Sequence, residues 1–486
     1  MKRFSLLSVL SFCALFGQAQ NPYLPLWEHV PDGEPRVFTH DGETRVYVYG
    51  SHDTAVSEYC GDDYVVWSAP VTDLTDWKCH GVCYQAEDKS ILYAPDVVKK
   101  GDTYYMYAAE RKGSRIMVAT AGTPWGPFEN PVLTELGFDP GILVDDDGRV
   151  YAYWGFCKSF CGELNEDMAT IKEGTLVEHL IGHSLVPWAP EDDGHIDKEL
   201  AFFEASSPRK LFGKYVLIYS KRSQLSQPEL GVYDDCNGFL SYVYSDKPLS
   251  GFVKGGDISF NGGEILTKED GTGEMSFRWG NNHGSIMEVN GKWYVFYHRQ
   301  TGTDEYSRQA MLEPVDAAMD KEGRIFIGDV TYKDGEPVKS VPVEMTSQGA
   351  NINGLDAYKM ISAGYACHLR GGSETPIIKP VYEKRDDISA PIINITSGTV
   401  CGYRYLQFGA NSPKTVTMIF GDHGDAEVKV RIDAFDGREI ASGKIPASDK
   451  EVTMDLSSGI VGKHAVYFEF TSVDEKKLEF DRFTFD

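Results

Sequence analysis

One unit recurs five times along this chain: a polar or acidic residue, a short apolar run, a glycine, then a strand of alternating aromatic and aliphatic residues. Three copies are Glu34-Pro35-Arg36-Val37-Phe38 before Gly42 and RVYVYG, Asp96-Val97-Val98 before Gly101 and TYYMYA, and Asp139-Pro140-Gly141-Ile142-Leu143 before Gly148 and VYAYWG. In the other two, Glu204 through Leu211 precede Gly213 and KYVLIYS, and His283-Gly284-Ser285-Ile286-Met287 precede Gly291 and KWYVFYH. Each glycine stands between two strand patterns, where a tight hairpin asks for a residue tolerant of positive φ. Successive glycines lie 47 to 78 residues apart, enough for a four-stranded blade with loops of unequal length. A sandwich could hold the same strands but needs no repeated unit. The expected fold class is all-β, with a five-bladed β-propeller over residues 21–345. If the first strand of each unit lines the central channel, the leading residues Glu34, Asp96, Asp139, Glu204 and His283 converge on one pocket.

Beyond about residue 345 the repeat stops. Residues 395–486 carry further short strand patterns (VTMIFG, VKVRIDAF, AVYFEF, LEFDRFTF) separated by polar turns, so a C-terminal β-sandwich is expected over 346–486 with its core at about 395–486. Thr346 to Pro391 follows no clear period. At the other end, Lys2 and Arg3, the apolar stretch Phe4 to Phe16 and the small-residue site Gly17-Gln18-Ala19 read as a signal peptide over residues 1–19. The protein is expected to be exported, to the periplasm or the medium. Cys13 could hint at a lipid anchor, but Phe12 stands where such signals want a small residue. No later segment is long and apolar enough to insert in a membrane.

The net charge is −26, and losing Lys2 and Arg3 with the signal takes it to −28. Such a chain repels nucleic acid and anionic lipid, so a neutral ligand fits better. The 25 Phe, 8 Trp and 27 Tyr could stack on sugar rings, although they fill ordinary β cores as well. Of nine cysteines, Cys79/Cys83 and Cys157/Cys161 are closely spaced; an oxidising compartment would permit bridges, and free buried thiols are the equal alternative.

Carboxylates gathered in one pocket can hydrolyse a glycosidic bond. One carboxylic acid protonates the leaving oxygen while a carboxylate activates water or attacks carbon. A third negative neighbour raises the pKa of the acid. A metal site and a sugar-binding lectin are competing readings of the same cluster.

Several ordered segments carry a resemblance: YAPDVVKKGDTYYMYAA, FDPGILVDDDGRVYAYWGF, FEASSPRKLFGKYVLIYS and WGNNHGSIMEVNGKWYVFYHR, with CGELNEDM and YSRQAMLEP between and after them. Over roughly residues 21–345 the chain resembles glycoside hydrolase family 43, five-bladed inverting enzymes acting on arabinose- and xylose-containing glycans. The resemblance implies a glycosidase, exo-acting and inverting, that releases α-L-arabinofuranosyl or β-D-xylosyl units from plant cell-wall polysaccharides. It places Glu204 at the general acid and Asp139 at the aspartate that raises the acid's pKa and orients it. Glu34, in Glu34-Pro35, falls where the family has its general base, normally an aspartate; Asp32 and Asp53 are nearby acids that could substitute. By the same resemblance Asp96 and Arg308 contact substrate, and His283 sits at a central metal ion, usually calcium, which would be structural because the chemistry needs no cofactor. GKHAVYFEF and LEFDRFTF are similar to family 6 carbohydrate-binding modules; Tyr403 and Tyr405 are either stacking residues or core, and packing against the propeller is the equal alternative to sugar binding. A non-catalytic glycan-binding propeller and a retaining fructan hydrolase are the alternatives, the first motivated by Glu34.

Overall fold

The computed structural model describes residues 20–186, 193–223, 236–267, 273–302, 305–385 and 387–486. The expected signal peptide, residues 1–19, lies outside them. Five antiparallel sheets follow one another in the order of the repeat. The first holds β1 (Glu34–His40), β2 (Glu43–Tyr49), β3 (Asp63–Pro70) and β4 (Lys78–Gln85). The second holds β5 (Tyr93–Lys100), β6 (Thr103–Ala109), β7 (Arg115–Ala121) and β8 (Glu129–Leu133). The third holds β9 (Gly141–Val144), β10 (Val150–Trp154), β11 (Phe160–Glu163) and β12 (Val177–Glu178). The fourth holds β13 (Phe202–Leu211), β14 (Lys214–Ser223), β15 (Cys236–Ser245) and β16 (Val253–Phe260). A small hairpin, β17 (Ile265–Thr267) and β18 (Gly273–Met275), precedes the fifth sheet of β19 (Ser285–Val289), β20 (Lys292–Arg299), β21 (Gln309–Met319), β22 (Ile325–Lys333) and β23 (Glu336–Val341).

The first strands form the inner ring. β1 packs beside β5 and β19, and β9 beside β5 and β13. β13 meets β19 where the Ser285 hydroxyl donates to Ser207 at 2.7 Å and Arg209 Nε donates to the Ile286 carbonyl at 2.9 Å. The five hairpin glycines all have φ between 62° and 83°, and a Cβ at any of them would meet nothing within 4 Å, so backbone conformation rather than space requires them.

The alternating strands explain why blades stack around an axis. Successive side chains of a strand face opposite ways, and in β2 both directions are apolar. Val46 and Val48 enter one wedge with Tyr294, Phe296 and Leu312 of the fifth blade. Tyr47 and Tyr49 enter the opposite wedge with Tyr104 and Met106 of the second. β10 divides the same way, Val150 and Ala152 toward blade two, Tyr151 and Tyr153 toward blade four. A blade with two apolar faces has to be covered on both sides, and a closed ring does this for every blade.

The C-terminal part is two six-stranded sheets. One runs Leu355–Asp356, Thr399–Gln407, Lys463–Thr471, Ala426–Ile432, Arg438–Ile445, with His368–Arg370 also on Thr399–Gln407. The other runs Ile377–Ile378, Ile392–Ile395, Leu478–Phe485, Thr415–Phe420, Glu451–Asp455, with Ile361–Ser362 on Leu478–Phe485. The stretch without a clear period thus supplies edge pieces of two or three residues to both sheets, too short to show alternation. The sandwich core is continuous with the wedge between blades four and five. Fully buried Arg299 at the end of β20 donates to the carbonyls of Ala366 and Gly364 and to Gln309 Oε1. The eight described cysteines are all free thiols, so neither close pair is a bridge. No helix among the described residues is long and apolar enough to cross a membrane.

Phe296 is fully buried and meets Tyr23 and Trp77 edge-on in the wedge that closes the ring. Phe296→Ala should cost ~3–5 kcal/mol, read as a lower denaturant midpoint at unchanged slope. A loss below ~1 kcal/mol would mean that the wedge repacks and closure does not depend on it.

Candidate active site

One end of the ring opens into a pocket of about 490 Å³. Asp32, Asp139, Glu204 and His283 line it, with Tyr59, Phe138, Phe156, Phe203 and Trp279 among its walls. Asp32, Asp139 and His283 stand two residues ahead of β1, β9 and β19 respectively. Asp32 (φ 58°) and Asp139 (φ 50°) take the left-handed conformation, which turns the chain from the rim into the inner strand. Glu204 lies within β13, between two register shifts and before Ala205 at φ 66°, and this bulge aims its side chain into the pocket. Close packing of β9 on β13 brings Asp139 to it. A Cβ on Gly141 would lie 2.0 Å from the Ser206 carbonyl oxygen, so glycine alone fits, and the Ala205 amide donates to Asp139 Oδ2 at 3.1 Å.

Glu34 is not at the pocket. In the strand register it faces Tyr49, as Asp96 faces Tyr107 and Gly141 faces Tyr153. Glu34 and Asp96 therefore correspond to Gly141, whereas Asp32 corresponds to Asp139. A two-residue offset keeps a side chain on the same face but moves it ~6.6 Å along the strand, here down the channel. Glu34 Oε1 lies 2.5 Å from Arg209 Nη2 and 3.1 Å from Arg36 Nη2, and its Oε2 accepts from Ser207 at 2.9 Å. Asp96, expected to contact substrate, instead receives Arg36 Nη2 at 2.7 and 2.6 Å and the Ile142 amide at 2.7 Å. These four charged groups fill the channel below the pocket. Burial alone would raise the pKa of Glu34, but the guanidiniums of Arg209 and Arg36 overcome it and hold the carboxyl below its ordinary value.

Arg308, also expected on the substrate, lies fully buried behind Asp32. Its Nη1 donates to Asp32 Oδ1 at 3.0 Å and Oδ2 at 3.2 Å, and its Nε and Nη2 clamp Asp53. Ser51 donates to Asp32 Oδ2 as well. The Asp32 amide donates to His298 Nδ1 at 3.1 Å, and His298 Nε2 faces the Asn281 carbonyl at 2.6 Å, which fixes the neutral tautomer with its proton on Nε2. Asp53 holds Arg308 and the Cys60 amide and does not reach the pocket wall.

The three pocket carboxyls are driven apart in protonation. Burial would raise Asp32, yet the Arg308 guanidinium, helped by the hydrogen bond from Ser51, brings it below the usual aspartate value. Asp139 is raised to about 6, chiefly by burial, with His283 opposing. Glu204 is raised well above the ordinary value by burial, then by the charges of Asp139 and Asp32. One acid held as carboxylate beside one held protonated is an acid–base pair by environment. His283 Nδ1 is 3.7 Å from Asp139 Oδ2. A calcium ion takes 6–8 oxygen ligands, and one imidazole beside one carboxylate does not make that cage, so no step is assigned to an ion there.

Residues 31–322 match the family described as Glycosyl hydrolases family 43. The chain is 33% identical to a xylosidase/arabinosidase of Thermoclostridium stercorarium over 95% of this chain and 98% of that protein. It is 26% identical to an arabinoxylan arabinofuranohydrolase of Paenibacillus polymyxa over 92% and 71% respectively. A solved structure of a family 43 arabinoxylan arabinofuranohydrolase from Bacillus subtilis, in complex with cellotetraose, covers 96% of this chain and 97% of its own at 21% identity and a TM-score of 0.48.

The surroundings of Glu34 generate a direct test. Glu34→Gln leaves Arg209 and Arg36 facing one carboxylate instead of two, and breaking such a buried pair costs ~3–5 kcal/mol. The variant should melt markedly lower, while its folded fraction keeps kcat within about threefold, because the cost is structural. Loss of turnover at unchanged stability would put Glu34 back in the chemistry.

Proposed function

The chain belongs to glycosyl hydrolase family 43 and is a glycosidase, and on that premise we propose that it is an exo-acting, inverting enzyme releasing α-L-arabinofuranosyl or β-D-xylosyl units from plant cell-wall glycans. Asp32 is the general base, Glu204 the general acid, and Asp139 the neighbour that keeps Glu204 protonated. The observation that carries this reading is the opposite displacement of Asp32 and Glu204 in one pocket, the first pinned by Arg308, the second buried beside Asp139. Asp32 takes a proton from the attacking water as it adds to the anomeric carbon. Glu204 gives its proton to the departing oxygen. Arg308 and Ser51 hold the Asp32 carboxylate in one orientation, so no reorganisation is needed as charge moves.

A pocket with aromatic walls suits a terminal sugar and supports exo action. A second cavity of about 540 Å³ shares Trp279 and Glu305 with it and runs on to Leu369–Pro376 of the C-terminal part, a route for the rest of the glycan. The names of the relatives, xylosidase/arabinosidase and arabinoxylan arabinofuranohydrolase, support this substrate class. The geometry favours an enzyme over a glycan-binding propeller, since the motive for the latter, a glutamate at the base position, disappears with Asp32 there.

For the sandwich, the proposed role is packing and shaping the second cavity rather than stacking sugars. Tyr403 is buried and donates to the Ala363 carbonyl at 3.0 Å, and the Tyr405 hydroxyl donates to Glu344 at 2.7 Å. Export is proposed on the basic start and apolar stretch of residues 2–19.

Asp32→Asn should lower kcat on aryl glycosides by ~10²–10⁴ and should also melt lower, because buried Arg308 is left with one carboxylate instead of two; a folded variant within tenfold of the parent would remove Asp32 from the role of base. Glu204→Gln should lose most on glycosides with poor leaving groups and far less where the leaving group needs no proton. Activity should fall at low pH as Asp32 protonates and at high pH as Glu204 ionises. Asp139→Asn should shift the alkaline limb to lower pH, because removing a negative neighbour makes Glu204 easier to ionise. Proton NMR of the first-released sugar should show the anomer opposite to the substrate; retention would overturn the inverting mechanism.

A further inference from the structure

Away from the pocket, two histidines and an aspartate converge beside the segment that leads into β13. One ligand atom each from His179, His183 and Asp193 lies within 4.8 Å of the others. His183 Nε2 is 3.0 Å from Asp193 Oδ1, and His179 Nε2 is 3.9 Å from Asp193 Oδ2. Donors bound tetrahedrally at ~2.0–2.1 Å from a zinc ion stand ~3.3 Å apart, between these two distances.

The hydrogen bonds point the same way. His183 Nδ1 sits 2.9 Å from the Ser184 carbonyl oxygen, which can only accept, so Nδ1 carries the proton. The other nitrogen, Nε2, faces the Asp193 carboxylate at 3.0 Å, where an ion can take the place of a shared proton. A second-partner carbonyl on the far nitrogen is the arrangement that orients metal-bound imidazoles. The His195 amide holds Asp193 Oδ1 at 2.9 Å, and the His195 ring stacks on that of His179 at 3.7 Å between centroids. His179 Nδ1 is buried and makes no hydrogen bond. Asp193 is half exposed, which leaves water a place on the open side.

We infer that His179, His183 and Asp193 form a site for a borderline divalent transition ion of the zinc class, with water completing the coordination. Two imidazoles and one carboxylate are a donor set that suits zinc and excludes calcium, which wants oxygens throughout. The ion acts as a staple. The His183 amide donates to the His195 carbonyl at 3.0 Å, and the Ser184 amide to the Phe202 carbonyl at 3.1 Å, two residues before Glu204. Closing the three side chains on one ion ties this segment to the root of the strand that carries the acid.

The test uses the full chain, stripped with EDTA and dialysed. Calorimetric titration with zinc and metal analysis after gel filtration should give one equivalent per chain, and cobalt substitution should give the intense visible bands of a four-coordinate site. The melting temperature should rise with zinc. His179→Gln/His183→Gln and, separately, Asp193→Asn should abolish the equivalent and the rise, whereas the control His464→Gln, at an exposed pair with Asp433, should keep both. Asp193 is at the surface, so its variant remains informative if the double variant folds poorly. EDTA should change kcat on an aryl glycoside less than twofold. Binding of no zinc by the parent chain, undiminished binding in both variants, or collapse of kcat with EDTA would each overturn the assignment.

Discussion

Arg36 and Arg209, with Glu34 and Asp96, cross the axis of the ring almost sealed from water and join the five inner strands that lead from the pocket. Arg36 of β1 reaches Asp96 of β5 and the Ile142 carbonyl of β9. Arg209 of β13 reaches Glu34 and the Pro35 carbonyl of β1 and the Ile286 carbonyl of β19. Two side chains thus touch all five inner strands. Equal numbers of cations and anions make the cluster neutral, but a buried set of this kind is weak support for stability when compared with apolar packing. Its contribution is register. Sliding β1 by two residues would leave side chains on the correct face and would unpair both guanidiniums, so the network penalises the one error that alternation alone permits.

Above this floor, similar carboxyl groups acquire different protonation from what stands behind them. Asp32 is backed by a guanidinium held from its far side by Asp53, so the arginine has no freedom to leave. Glu204 has no such backing among its main influences; burial and two negative neighbours dominate. The difference in protonation comes from the groups behind the acids, not from whether each is a glutamate or an aspartate.

Much of this was legible in the chain itself. The repeat gave the ring, because hairpin glycines at five matching places and two-sided apolar strands have few other solutions. Asp139, Glu204 and His283 were found at the pocket because each leads its copy. Glu34 lies off the pocket but reads as one of its residues, because the Pro35 and Pro140 positions invite an alignment two residues out of step, and a slip of two leaves the period of a strand unchanged; the pairing of Glu34 with Tyr49 and of Gly141 with Tyr153 shows the offset. Asp32, named only as a substitute, has the same lead over β1 that Asp139 has over β9. Arg308 and His298 act through contacts across more than 260 positions of sequence, which no local pattern encodes. The aromatic walls are hidden for a different reason: in a chain so rich in Tyr and Phe, pocket rings and core rings look alike.

Arg299 has a consequence for how such chains can change. Its donors end on the carbonyls of Gly364 and Ala366, across the seam between ring and tail. A tail of another origin would have to present two main-chain oxygens at that spacing or leave a desolvated cation behind. The seam is therefore a matched surface in which main-chain position counts, so a side-chain change that leaves those oxygens in place is tolerated more readily than an insertion that shifts them.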